Sequence, residues 1–274
     1  MSTTITFPRC AIYAVIVAAL QLTALPSARA DHTPVLPASD WKITLGLTVM
    51  DIPKFTGSSQ RRISIYPLGE VVYRDTFFFK GDPIPGATIR GLGAYLFKNE
   101  HFSVTASLAP DFAERLEKDD VRLRGLGDVN PSVRAALAAS YSRDWWRISA
   151  AATQDLTSSK QGFKAGFDFI ANYHVTQHLT LELGPGITFA NGVNTRTFFG
   201  VTPLQSARSG YAVYTPSGGP QNIRFSVGLN YRIRGGWFVG ASASESKLLG
   251  DAANSPFIEK KDEISAGTYF GYHF

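Results

Sequence analysis

A serine nucleophile with a histidine base is the simplest route to hydrolysis, and this 274-residue chain carries both residue types. Ser206, Ser209 and Arg208 lie together in one stretch, with His174 and His178 upstream. Such a pair works only within hydrogen-bond reach, ~3 Å. A second constellation is His101, His174, His178 and His273, a metal site if the fold gathers three of them. A third is the charge carried inside alternating segments: Arg134, Arg147, Lys164, Asp168, Glu182, Arg224 and Arg232, together with Lys42, Arg62, Glu70 and Asp155. Inward charges of this kind either line a pore and select its ions or pair and fill it. The elements that hold these residues decide among the possibilities.

Those elements have a period of two. In Glu263–Phe274, Ile264, Ala266, Thr268, Phe270, Tyr272 and Phe274 share one face, and Ser265, Gly267, Tyr269, Gly271 and His273 share the other. One side is apolar and ends in aromatics, while the other is small and polar, as in a strand between lipid and a lumen. The rhythm recurs from Trp41 to Val49 and through about twelve segments, including 101–112, 131–141, 163–174, 178–190 and 222–233. Connections alternate between short (near 73–75, 98–100, 142–144, 175–177 and 234–236) and long (50–61, 81–87, 113–130, 156–162, 191–221 and 247–262). Trp41, Phe102, Tyr141, Trp145, Trp146, Tyr173, Tyr231, Trp237, Tyr272 and Phe274 all fall beside a short turn or the chain end, reading as one interfacial girdle. The expected fold is all-β: a transmembrane antiparallel barrel of about 12 strands over residues 40–274, with short periplasmic turns and longer extracellular loops.

This topology disposes of the catalytic pair. His174 and His178 flank a short turn, whereas Ser206 and Ser209 sit in a long loop at the opposite end. The four histidines belong to strands far apart. No catalytic residue, metal site or cofactor is predicted, and the loop serines are expected to bond to backbone or to the wall. The charged run 113–124 reads as a solvated loop. Arg90-Gly-Leu-Gly93 and Arg124-Gly-Leu-Gly127 read as strand–loop junctions that need glycine, since no helix follows to make a phosphate cradle.

Residues 1–30 read as a secretory signal peptide: Arg9, the apolar run 11–25, and Ala28-Arg-Ala30 as cleavage site. Residues 31–39 would be a periplasmic lead. Cys10 falls in the signal, so the exported chain has no thiol. Its 25 basic and 22 acidic residues give +3, against 27 and 22 for the full chain, too little to indicate nucleic acid.

The stretch Thr197-Phe-Phe-Gly-Val-Thr-Pro-Leu-Gln-Ser-Ala-Arg-Ser-Gly210 contains Phe199, Gly200, Val201, Thr202, Gln205, Ser206, Arg208, Ser209 and Gly210 in a spaced pattern. It resembles a segment of the MipA/OmpV family of Gram-negative outer-membrane proteins, the MltA-interacting protein family. Arg124–Asp128, Ser246–Pro256 and the terminal aromatic add to the likeness. The resemblance implies a monomeric barrel in the cell outer membrane, among outer-membrane lipid and lipopolysaccharide. It also implies a scaffold linking a murein transglycosylase to a murein synthase, or alternatively a small porin. The inward basic excess makes a weakly anion-favouring pore for polar solutes the second reading.

Overall fold

An isolated strand cannot satisfy its backbone polar groups in lipid, so the alternating segments are viable only as a closed ring. In a computed structural model describing residues 40–81, 91–112, 115–157 and 159–274, they form one. The ring comprises β1 (Trp41–Pro53), β2 (Arg61–Tyr73), β3 (Phe77–Gly81), β4 (Gly91–Lys98), β5 (Phe102–Asp111), β6 (Ser132–Arg143), β7 (Trp146–Asp155), β8 (Phe163–His174), β9 (Leu179–Ala190), β10 (Gly219–Arg232), β11 (Trp237–Leu248) and β12 (Asp262–His273). Each strand pairs antiparallel with its sequence neighbours, and β12 closes on β1 from Thr44↔His273 to Asp51↔Ala266. The signal segment 1–30, the lead 31–39 and Arg90 lie outside the described residues.

Parity assigns the faces as the sequence predicts. Leu45, Leu47 and Val49 of β1, Ile63 and Ile65 of β2, and Ile223, Phe225 and Val227 of β10 are exposed on the outside. Their neighbours Thr48 and Met50 are buried within. A twelve-residue strand rises ~40 Å and, tilted ~40°, spans ~30 Å, enough to cross the apolar layer. β3 keeps the alternation in space though its residues do not differ in chemistry: Phe77 and Phe79 are exposed, while Phe78 between them turns inward and packs on Tyr95 at a ring separation of 5.3 Å.

The aromatic girdle gathers at the short-turn end. Trp41 packs on Tyr73 at 4.4 Å, Tyr141 on Trp146 at 5.5 Å, and Trp237 on Tyr272 at 4.9 Å. The turn between β2 and β3 places Arg74 and Asp75 at positive φ, and Arg74 is tied to Asp40 at 3.0 Å.

Inward and outward positions should differ sharply in tolerance. Val227→Arg is expected to cost about 2–4 kcal/mol in reversible unfolding from lipid vesicles, while inward Ser226→Arg costs much less. Equal costs would contradict the assigned faces.

Candidate functional site: the loop cap and the lumen beneath it

The long loops fold together over their end of the barrel. The loop 191–218 contains α1 (Gly192–Phe199) and α2 (Pro203–Ser209); the loop 249–261 contains α3 (Gly250–Ala253). The side chain of Asn191 accepts from the Asn194 amide and starts α1. Thr202 and Gln205 form a reciprocal capping box on α2, which ends at Gly210 with φ +80°. That box was readable from Thr202-x-x-Gln205, though the two helices are not among the elements predicted above.

These loops bury apolar residues away from the wall. Phe55, Leu123, Leu126, Val201 and Phe257 form one core, drawn from four different long loops, with Tyr211, Tyr214 and Ile258 against it. Phe199 packs with Ala252, Ala253 and Leu248, the last residue of β11, in a second that joins the loops to the wall. Burying a Leu or Phe of this kind contributes roughly 1.5–3 kcal/mol.

Over its described residues 115–124, the charged run 113–124 is therefore not the solvated loop expected of it. Arg115 is 3% exposed and Leu123 fully buried. Arg115 donates from Nη1 to the Phe198 carbonyl at 2.9 Å and from Nη2 to that of Leu126 at 3.4 Å, and lies 5.1 Å from the Phe257 ring centre. Burial pulls its guanidinium down to about 10, against the opposing pull of Asp128 and Glu117, so it stays charged at neutral pH. A local charge pattern cannot reveal this, because the partners come from distant loops.

Hydrogen bonds and ion pairs staple the rim of the cap. Ser59 donates its hydroxyl (2.7 Å) and amide (3.0 Å) to Glu259, which also pairs with Arg122 at 2.7 Å. The Ser59 hydroxyl is the main influence holding the Glu259 carboxyl below its usual range, with the Ser59 amide and Arg122 assisting and partial burial opposing. Ser217 lowers Asp251 in the same way, and Tyr214 donates to the Asp251 carbonyl at 2.8 Å.

The family-like segment is the scaffolding of this cap. Phe199 and Val201 enter the two cores, and Gly200 caps α1. Gln205 donates to the Leu126 carbonyl. Ser206 donates to the Tyr211 carbonyl at 2.6 Å, and Ser209 to that of Gln205 at 2.7 Å, so both serines bond to backbone as expected. The Arg208 side chain is exposed. Gly125 (φ +83°) packs under the end of α2, where a Cβ would lie 2.7 Å from the Arg208 carbonyl carbon; the Arg124-Gly-Leu-Gly127 repeat thus marks a close approach.

Below the cap, the inward charges sort by height. Near the long-loop end, Lys164 lies 3.1 Å and Arg134 3.7 Å from Asp111, an acid absent from the predicted set. Arg134 also donates to the Gly162 carbonyl at 2.9 Å and to Thr153. Buried Gln161 and Asn194 complete this polar layer, with the Asn194 amide donating to the Gln161 carbonyl at 2.6 Å. Arg224 pairs with Asp168 and donates to Thr188 at 3.2 Å; Gly186 leaves the room, since a Cβ there would lie 2.6 Å from Arg224. Lower down, Arg147 is half-buried and Glu182 exposed within the wall. Arg232 reaches the Gln177 carbonyl at 2.8 Å, at the short-turn rim. The structure thus joins Arg134 with Lys164 and Asp168 with Arg224, and leaves Arg147, Glu182 and Arg232 at other levels.

The histidines are placed as predicted, at the short-turn end and far from Ser206 and Ser209. His273 bonds Thr44 at 2.8 Å and His174 bonds Thr180 at 3.1 Å.

A closed antiparallel ring with an apolar outside, an aromatic girdle at one end and packed loops at the other defines an outer-membrane β-barrel. Residues 45–274 match the family described as MltA-interacting protein MipA, and the chain belongs to that family. A relative from Escherichia coli (strain K12), the MltA-interacting protein, is 23% identical over 77% of this chain and 82% of its own length. Outer membrane protein Omp26La of Vibrio anguillarum is 23% identical over 56% of this chain and 58% of its own. A solved outer-membrane channel from Pseudomonas putida F1 is similar with a TM-score of 0.49 and 12% identity, over 89% of this chain and 100% of that one.

Two outcomes test the cap. Arg115→Ala leaves the Phe198 carbonyl without its donor and the Leu126 carbonyl with Gln205 alone, and is expected to cost the cap about 1–3 kcal/mol. Chymotryptic cleavage in loops 112–131 and 191–218 should then accelerate more than tenfold while the barrel stays folded; an unchanged rate would contradict the staple. Because Glu259 and Asp251 are depressed in the folded state, their stabilisation is complete above the ordinary carboxylate range, ~4, and is lost as pH falls through the folded values. A dye on Leu204→Cys in the refolded 31–274 chain should therefore gain mobility as pH falls over the range below about pH 4, by fluorescence anisotropy. Glu259→Gln should already be mobile at neutral pH and flatter across that window.

Proposed function

We propose that this protein is a closed, non-enzymatic barrel that acts as a docking scaffold for murein-processing proteins. Its long loops face outward and its short turns face the periplasm, after cleavage of a signal peptide at residues 1–30. The observation that carries this reading is the loop cap: four long loops share a hydrophobic core at one end of the ring, and the lumen charges beneath are paired as Arg134–Asp111–Lys164 and Arg224–Asp168. A barrel stoppered in this way works through its surfaces. The short-turn rim offers Lys42 and Lys98 on either side of Asp75, at 2.9 and 3.1 Å, with Arg74 beside them. The lysine hydrogen bonds hold the Asp75 carboxyl below its usual range, Lys42 first. The lead 31–39 precedes Asp40 in the chain, and Asp40 pairs with Arg74 of this rim at 3.0 Å. The name of the Escherichia coli relative, MltA-interacting protein, supports a murein transglycosylase as partner.

The second reading, a small weakly anion-favouring porin, draws support from the solvated lower lumen around Glu182. One pair of measurements separates the two. The refolded 31–274 chain is expected to give no single-channel steps in a planar bilayer. It should also retain a purified lytic murein transglycosylase on an affinity column, and lose it when 31–39 is removed. Reproducible conductance steps without transglycosylase retention would replace the scaffold with the porin.

A further inference from the structure

The outer wall of a barrel is convex, yet one broad recess of about 720 Å³ indents it. Its floor is Pro185 of β9, flanked in the wall by the taller side chains Phe167, Phe169, Ile223 and Phe225. The cause is local. Pro185 sits between Gly184 and Gly186 and offers no ladder donor, and the β8–β9 pairing lapses between Asp168↔Gly186 and Ala171↔Leu183. A flat ring amid phenylalanines makes a notch that the neighbouring strands do not fill.

The notch has a polar end. Glu245 and Lys247 of β11 and Asp262 of β12 close it toward the long loops, all facing outward. Lys247 and Asp262 lie 3.6 Å apart, with side chains 56% and 60% exposed, so neither is sequestered by the other. Outward charge is tolerated on such a wall only near the headgroup level. The recess therefore runs from mid-membrane to the interface on the long-loop side. From Ile148 on β7 to Asp262 on β12 it crosses five inter-strand steps, ~24 Å, broader than one lipid chain needs.

We infer that this recess is a binding site for one phosphorylated, multiply acylated lipid of the lipopolysaccharide type. Its acyl chains lie over Pro185 between Phe167 and Phe225, and a phosphate sits on Lys247. Glu245 and Asp262 flank that phosphate, where divalent counter-ions of the lipid bridge to them. The occupant is a lipid because the site faces the bilayer and the closed ring offers no free strand edge to a peptide. It is a multi-chain phosphorylated lipid because the trough is broad and its polar end offers the exposed Lys247 ammonium to a phosphate, whose divalent counter-ions offset the two acids beside it. The inference uses the orientation proposed above but neither a partner nor a conductance, so its failure leaves the scaffold reading standing.

The test is native mass spectrometry of the refolded 31–274 barrel in detergent with magnesium, offered bisphosphorylated hexa-acyl lipid A against phosphatidylethanolamine. One lipid A per barrel should survive at about tenfold preference, ~1.4 kcal/mol. Pro185→Phe, which fills the notch, should lower retention by about the same factor. Lys247→Glu should erase the preference for lipid A over its dephosphorylated form. If Pro185→Phe does not refold, Phe225→Ala replaces it and should also weaken retention. Equal retention of lipid A and phospholipid, or retention indifferent to these substitutions, would overturn the site and leave only ordinary annular lipid.

Discussion

No amide in the wall of this protein can turn to water, so everything else depends on the seam where β12 meets β1. From Thr44↔His273 to Asp51↔Ala266 that seam converts two edges into none. The side-chain period follows from it. Once every strand is paired on both sides, one parity faces lipid and the other faces a lumen, and a single register slip would exchange them. The apolar outside, the charged inside and the aromatic belt at the short turns are three consequences of one closure.

Closure leaves the lumen as a problem to be solved. Cations and acids turned inward are costly unless hydrated or paired. Near the long loops they are paired: Asp111 takes Lys164 and Arg134, and Asp168 takes Arg224. Above them the buried amides of Gln161 and Asn194 form a polar floor for the loops. The cap then adds what the wall cannot, an apolar core of its own around Phe257 and Leu123, pinned by the buried Arg115. Toward the short turns the inside is wetter, with Glu182 exposed. The molecule is thus graded along its axis, from a roofed end to a solvated one.

The wall was legible in the sequence because contrast between lipid and lumen repeats every second residue. Even the face of Arg224 and Asp168 follows from parity alone. Their pairing does not, since it depends on which strands are neighbours at which height. The faces of β3 are hard to read in the sequence because Phe77, Phe78 and Phe79 are chemically alike, although of these three only Phe78 turns inward. The cap was illegible for a different reason. Phe55, Leu123, Val201 and Phe257 are single apolar residues scattered over four loops, with no period to announce a core. Arg115 sits in a run whose local charge argues for solvent, and only long-range folding buries it. The Thr202–Gln205 capping box, with Asn191 before α1 and Gly210 after α2, was a local sign that this loop is folded.

The central physical claim is that the long loops are a packed cap and not a fringe. Hydrogen–deuterium exchange of the refolded barrel tests it most directly. Amides of 120–129, 195–201 and 252–258 should exchange orders of magnitude more slowly than exposed turns, approaching the strands. Exchange of those segments at turn-like rates, with β1–β12 still protected, would contradict a folded cap and return the long-loop mouth to an open one.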